Sequence, residues 1–583
     1  MGSIEGPACW EDNVRHDQAF IELIPFREKR MTHFNTALHP AALMYAEEER
    51  AGKLSRREFM TRATALGVTA TAAYGLLGLK APAAAATAAQ GGTMRIQMNV
   101  VAQKDPRTYD WSYLGNVGRG WLEYLVEVNS DGSMRGMLLE SWEANEDASQ
   151  YTLHVRPGVT WNNGDAFNAD NVVWILNYWC DKVVEGNSMA GRMSSLIDAE
   201  TGKARDGAIV KLDDMTVQLN LPASDITVMV GMADYPAAVV HPSHNPETMV
   251  ADSLGTGPYK LESLEVGVKA VLVRNENHNW WGHSAEGIGG AYLDRIEFID
   301  YGTDPAAWMA AIESDEVDML YENVGEFLDI ATAIGWEQSD VTTGATLVFR
   351  FNQKTEVDGK APYADVRVRQ ALSQAVNNGV VLELGYSGRG TEADNHHVAP
   401  VHPEYADIGR PTFDPAGTKA LLDEAGMGDY EFELITLDDD FNRNSGDAVA
   451  AQIRDAGANI KRTIMPGSTF WNDWDKFPFS ATEWNHRPLG VQVLALAYRS
   501  GEAWNESAYS NPEFDALLAK AMSLADADAR RSVMAELETV FRNDAVIIQP
   551  FWRKLYRHFR PGVVGAGMHP SFEIHAYKLG FSA

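Results

Sequence analysis

The stretch Glu483–Gly490, EWNHRPLG, sets a histidine beside an arginine. It follows a run crowded with rings, in which Phe470, Trp471, Trp474, Phe477 and Phe479 fall close together. An imidazole titrates near neutral pH, and a guanidinium grips carboxylate, sulfonate or phosphate groups. Such a pair suits acid–base chemistry, an anion grip, or a polar loop over a core. No G-x-S-x-G, H-E-x-x-H or phosphate loop accompanies it, and carboxylates are too numerous to single out a hydrolase pair. No catalytic residue is therefore assigned. In DNHHVAPVHPEY, His396, His397 and His402 cluster, but adjacent histidines point apart and no cysteine or close carboxylate completes a tetrahedral site. The expectation is no metal and no cofactor.

Binding chemistry has more candidates. Arg487 faces an acidic ligand group or pairs with Glu483 or one of Asp438–Asp440, and His486 tunes binding with pH or is a satisfied polar neighbour. Arg350 interrupts the apolar strand TLVFRFN and must point away from Phe349 and Phe351, because strand side chains alternate. Its face is cleft or solvent. Tyr109 and Trp111, in DPRTYDWSY, either close over a ligand or plug a surface; with Trp484 and Trp504 they would make part of an aromatic cage for a quaternary ammonium.

These residues need a large scaffold. At 583 residues the chain exceeds one hydrophobic core, so two or more domains are expected. A net charge of -32 excludes nucleic acid as a partner, since phosphate binding needs a basic face. Residues 1–89 read as a leader, with 1–30 a possible start-site overhang before Met31. Ser55-Arg-Arg-Glu-Phe-Met60 resembles a twin-arginine export signal, an apolar segment runs from Ala63 to Leu79, and small residues offer cleavage between Ala83 and Ala89. The mature part holds no apolar run of transmembrane length and is expected to be soluble and periplasmic. Cys180 would be its lone cysteine, so no internal disulfide is expected.

Strands and helices alternate irregularly, as in α/β or α+β domains. GTMRIQMNV, YTLHVRPG, MTVQLNLP and KAVLVRN alternate as half-buried strands. Helices begin at cap residues Asp304, Asp365 and Asn511, two of them followed by proline.

Five stretches resemble, in order, the extracytoplasmic solute-binding proteins of dipeptide, oligopeptide and nickel ABC importers (family 5). They are Gly136–Trp174, LGTGPYKLESLEVGVKAVLVRNENHNWWG, YLDRIEFIDYGTDPAAWMAAIESDEVDM, FRFNQKTEVDGKAPYADVRVRQALSQAV and YSNPEFDALLAKA. The resemblance implies an α/β, two-lobed periplasmic binding fold of the large peptide-binding type with an extra subdomain in lobe I. Lobe I would comprise 90–121, 251–301 and 549–583, its subdomain 122–250, and lobe II 302–548, hinged near Tyr301 and Gln549. It further implies a monomer that closes on a small polar or zwitterionic solute and docks on an inner-membrane permease with its ATPase, without enzymatic activity. In peptide-binding relatives the strand end matching EWNHRPLG carries a Trp, kept here as Trp484, and an Asp that holds the peptide ammonium. That Asp position is Arg487, with Asn485 and His486 between, which disfavours a free-amine peptide. Trp504 and Asn505 lie where the family brings a loop back toward the ligand.

Overall fold

The computed structural model describes residues 38–81, 88–285, 288–402, 404–524 and 527–583. One mixed sheet of twelve strands organises the molecule. Its path runs Tyr259–Glu265, Lys269–Arg274, Arg295–Ile299, Thr93–Gln97, Met319–Leu320, Phe551–Phe559, Glu337–Phe351, Phe479–Trp484, Glu431–Leu437 and Asn459–Met465. The long antiparallel pair Glu337–Phe351 and Phe551–Phe559 joins the first strands of this path to the last. A separate four-stranded antiparallel sheet, containing Leu139–Ala144, Gln150–Val155, Thr216–Asn220 and Ile209–Asp213, builds the subdomain.

Local chemistry explains these elements. Gln150–Val155 buries alternate residues Tyr151, Leu153 and Val155, and the helix Ala169–Trp179 packs on the sheet's strands Ile209–Asp213 and Thr216–Asn220. Asp304, Asp365 and Asn511 cap the helices Pro305–Glu313, Val366–Gln374 and Pro512–Ser523 through their side chains, which satisfies backbone N–H groups left over in the first turn. Phe349 and Phe351 enter the apolar core around Phe432, Leu434 and Phe479, whereas Arg350 leaves on the other face. Cys180 is buried with a free thiol, and burial pushes its pKa up to about 12.

The part of the expected leader that is described, from residue 38 to 81, is folded onto the body. Three helices form: α1 (Pro40–Arg50), α2 (Arg56–Ala65) and α3 (Ala70–Leu76). Ser55 and Glu58 make a reciprocal capping box at the start of α2, so the paired arginines open a helix. Thr61 donates to the Gly132 carbonyl at 2.8 Å, and Trp142 donates its indole N–H to the Ala65 carbonyl at 2.9 Å. Arg62 is fully buried, 3.8 Å from Glu404, which also pairs with Arg530 at 3.2 Å. Gly67 has φ +91°, and a Cβ there would sit 2.2 Å from the Trp142 carbonyl oxygen; only glycine makes that turn. The start-site region 1–30 lies outside the described residues, as does most of the expected cleavage window; Ala88–Ala89 pair with the C-terminal strand Gly580–Ser582.

Candidate functional site

Carboxyl ends of parallel strands are where open α/β sheets leave a crevice. Here two parallel pairs do so: Thr93–Gln97 with Met319–Leu320, and Glu431–Leu437 with Phe479–Trp484. Their ends deliver Gln97 and Asn99, Tyr321 and Glu322, Asp439 and Asp440, and Glu483 and Asn485 to one cleft between the lobes. The cleft encloses about 800 Å³ between its walls, part of it open to solvent. Trp111, Tyr113, Trp308, Phe441, Trp471 and Phe572 supply the apolar walls.

The two lobes meet over this space. Trp111 packs on Trp471 with ring centroids 4.1 Å apart and planes tilted by 58°, and Trp474 approaches edge-on at 6.1 Å. Asn485 donates to the Ser112 hydroxyl at 3.2 Å, a second contact across the cleft. Ser112 in turn shares a 2.6 Å hydrogen bond with the Tyr321 hydroxyl.

The floor is acidic. Arg553, buried behind it, is hydrogen-bonded to Glu322 and lies 3.3 Å from Glu483, with its guanidinium 4.2 Å from the Phe441 ring centre. Asp439 caps the helix Asp440–Asp455 and accepts from the Asn442 amide side chain at 2.8 Å, while the same amide donates to Glu483 at 2.9 Å. Burial first, and then the charge of Glu483, push the Asp439 carboxyl well above the usual range. Burial likewise raises Glu322, against the lowering effect of Arg553.

Of the residues that the sequence nominated, Trp111 and Asn485 line the cleft. The other seven are packed or hydrogen-bonded within the protein and are not among its lining residues. Arg487 is buried against Asp234, with Nε 2.9 Å from the carboxylate, and not against Glu483 or the 438–440 acids. It stays there because Tyr235 and Trp504 flank its guanidinium at 5.2 and 5.6 Å. Asp234 also binds Arg192, so one carboxylate serves two cations. Trp484 donates its indole N–H to Glu506 at 2.7 Å, and Arg350 donates to the same carboxylate at 2.6 Å; the Arg350 face is thus neither cleft nor solvent. Asn505 donates to the Tyr498, Arg499 and Tyr509 carbonyls and ties its own loop. Tyr109 is fully buried and donates to Gln103, and Trp504 stacks on Tyr235, so neither Tyr109, Trp484 nor Trp504 joins Trp111 in a cage.

His486 is buried, and its Nδ1 accepts from the Gly344 N–H at 3.0 Å. It stacks at 5.5 Å on His402, whose Nδ1 accepts from the Ala399 N–H at 2.9 Å. Both rings are therefore neutral at the accepting nitrogen. Burial pushes His486 well below its ordinary value and His402 down to about 4. A depressed histidine pKa means that the unfolded chain takes up a proton between pH 6.5 and 4 and the native state does not. Stability due to His402 is therefore complete above pH 6.5 and falls as the solution is acidified through that window. His402→Gln should fall less: between pH 6.5 and 5, its gap in unfolding free energy from the unaltered protein should narrow by about 2 kcal/mol. Urea denaturation at both pH values checks this, and parallel profiles would refute it.

Sequence reasoning missed Glu322, Asp439, Asp440, Glu483, Trp308, Trp471 and Arg553 as site residues. Most sit at or just past the last residue of an apolar strand, as in LITLDDD and VDMLYEN, and that position was the available signal. Among the described residues, no group of three or more His, Cys, Asp or Glu side chains is arranged to hold a metal ion, and no helix is long and apolar enough to cross a membrane.

Known proteins share this architecture. The oligopeptide-binding protein OppA of Haemophilus influenzae, solved with the peptide RPPGFSPFR, superposes with a TM-score of 0.75 at 18% identity, covering 85% of this chain and 100% of that one. AgaA of A. tumefaciens R10, in complex with agropinic acid, superposes with a TM-score of 0.72 at 19% identity over 84% of this chain and 99% of the other. By sequence, heme-binding protein A of Haemophilus influenzae is 25% identical over 70% of this chain and 77% of its own length. The periplasmic oligopeptide-binding protein OppA of Salmonella typhimurium is 23% identical over 82% of this chain and 90% of its own. The family described as bacterial extracellular solute-binding proteins, family 5 Middle, matches residues 133–505, and with the fold and cleft above it the chain belongs to that family.

Proposed function

We propose that the protein is the periplasmic substrate-binding component of an ABC importer, a monomer that captures a small polar or zwitterionic solute, peptide-like or a modified amino compound, by lobe closure and hands it to a membrane permease driven by an ATPase. The observation that carries this reading is the cleft itself. Residues from both lobes meet across it at Trp111–Trp471 and Asn485–Ser112, so a solute bound there would add contacts available only in the closed form. The periplasmic and peptide- or solute-binding names of the relatives support the same role. Lobe I at 90–121, 251–301 and 549–583, its subdomain at 122–250 and lobe II at 302–548 remain the proposed bodies, with hinges near Tyr301 and Gln549. The Ser55–Met60 stretch is proposed as a twin-arginine signal that sends the chain out of the cytoplasm. Capture, not turnover, is the proposed task, because the cleft's polar groups are spread around its floor and walls with no nucleophile–base pair among the contacts described.

Calorimetry with peptides, opines, amines, betaines and sugar acids should find a solute bound in the micromolar range or tighter. Trp471→Ala should weaken that solute up to about tenfold, since an aromatic pair across the cleft contributes about 0.5–1.5 kcal/mol beyond its area. A protein that carries no small molecule through purification and gives no heat with any class of solute would overturn the reading.

A further inference from the structure

The charge balance of the cleft narrows the solute, given the binding role just proposed. Four carboxylates line it, Glu322, Asp439, Asp440 and Glu483, and the described lining contains no Lys, Arg or His. Arg553 is the cation behind them, and Glu322 and Glu483 share it. Two carboxylates around one guanidinium leave one negative charge uncompensated before Asp440 is counted, and Asp439, whose carboxyl is raised by burial and by Glu483, is left out of the balance. Asp439 spends one oxygen on the first turn of its helix and the other on Asn442. Asp440 accepts from Asn444 at 3.2 Å and stays half-buried at the rim.

An acid group on the solute would thus enter a net-negative, partly desolvated space with no basic side chain on its lining, an arrangement that costs several kcal/mol per uncompensated ion. A cation meets the opposite conditions. Glu483 and Glu322 can accept from N–H donors, and Trp111, Trp308 and Trp471 line the walls with rings of the kind that attract positive charge. The neutral partners Gln97, Asn99 and Asn485 suit further polar atoms. The chain's net charge of -32 draws cations toward the opening. Arg487, the group that would have selected an acid, is held by Asp234 outside this lining.

We propose that the cleft takes an organic cation, an amine or guanidine on a largely apolar body, and discriminates against the same body carrying a carboxylate. The cavity between the lobes defines the site, and the acids define only what enters it.

The test is a matched series on the intact chain, read by calorimetry and thermal shift. For aliphatic and aromatic bodies of four to nine carbons, the plain amine or guanidine, the corresponding α-amino acid and the plain carboxylic acid are compared, with dialanine as the zwitterionic peptide. Binders should fall among the amines and guanidines, at least about tenfold tighter than their amino-acid counterparts, because a repelled ion of this kind is worth a decade or more in affinity. Glu483→Gln should weaken the best cation about tenfold, and the rim variant Asp440→Asn, which leaves Arg553 paired, should weaken it in the same direction. Tighter binding of amino acids, dialanine or carboxylic acids overturns the cation proposal while leaving solute capture intact. Cation affinity unchanged in both variants also overturns it. Silence from every member of the series overturns the cation proposal, while solute capture falls only if the wider panel above is silent as well.

Discussion

Replacing Arg553 with methionine is expected to cost about 3–5 kcal/mol of folding stability, the usual penalty for stripping the partner from a buried ion. The guanidinium is about 1% exposed, hydrogen-bonded to Glu322, 3.3 Å from Glu483, and packed over Phe441. Methionine keeps much of the packing and removes the charge, so the loss isolates electrostatics. The sign of its pH dependence follows. Glu322 is already raised by burial, with Arg553 holding it down, and without Arg553 its folded pKa rises further above the unfolded value. A raised carboxyl pKa stabilises below the unfolded pKa and loses that stabilisation as pH rises through the folded one. The defect in Arg553→Met should therefore be larger at pH 7 than at pH 5, as read by urea unfolding. Equal defects at both pH values would mean that Arg553 matters for shape alone.

Removing the acid of the second buried network should cost as much. Glu506 accepts from Arg350 at 2.6 Å and from the Trp484 indole at 2.7 Å. Arg350 has no exposed surface, and its remaining partners are the carbonyls of Phe477 and Trp474. Glu506→Ala strands a buried guanidinium and an indole N–H together, at about 3–5 kcal/mol. The double change Arg350→Met with Glu506→Ala removes the stranded charge and should recover all but about 1–2 kcal/mol. Additive losses in thermal and urea unfolding would show that the pair is not coupled. The double variant also frees the Trp474–Phe477 backbone from Arg350, and Trp471 lies just before it in the chain. Solute affinity should therefore recover less than stability does.

Sequence reached the fold more easily than the site, for a physical reason. Strand alternation in Gln150–Val155 and caps at Asp304, Asp365 and Asn511 are local properties of a few neighbouring residues, and they reappear in the structure with those residues in those roles. Arg350 was legible halfway: alternation gave its opposition to Phe349 and Phe351, while its partner Glu506 stands 156 positions away. Arg487 shows the limit more sharply. Its partner Asp234 belongs to a segment 253 residues earlier, and nothing in EWNHRPLG indicates which acid the fold will bring to it. The cleft acids were visible as LITLDDD and the Glu before Trp484, but they gained meaning only when two parallel strand pairs set their ends together. A site built from strand ends is a property of topology, and composition does not carry it.

The docked helices α1–α3 have a temporal consequence. Phe59 and Met60, in the proposed export signal, have no exposed surface once α2 is seated, and Arg62 is enclosed with Glu404. A receptor that reads Ser55–Met60 as a continuous strip cannot do so while Thr61 and Trp142 hold the helix in place. Recognition and docking are thus competing fates of one segment. If Ser55–Met60 serves as the export signal proposed above, its window for dispatch lies between synthesis and the seating of α2, and afterwards that helix must reopen locally. Glu404 keeps Arg530 and the Gly490 N–H after α2 leaves, so the body does not need the helix to satisfy this acid. On that proposal, the same segment acts as a clock on the precursor and is dispensable to the body.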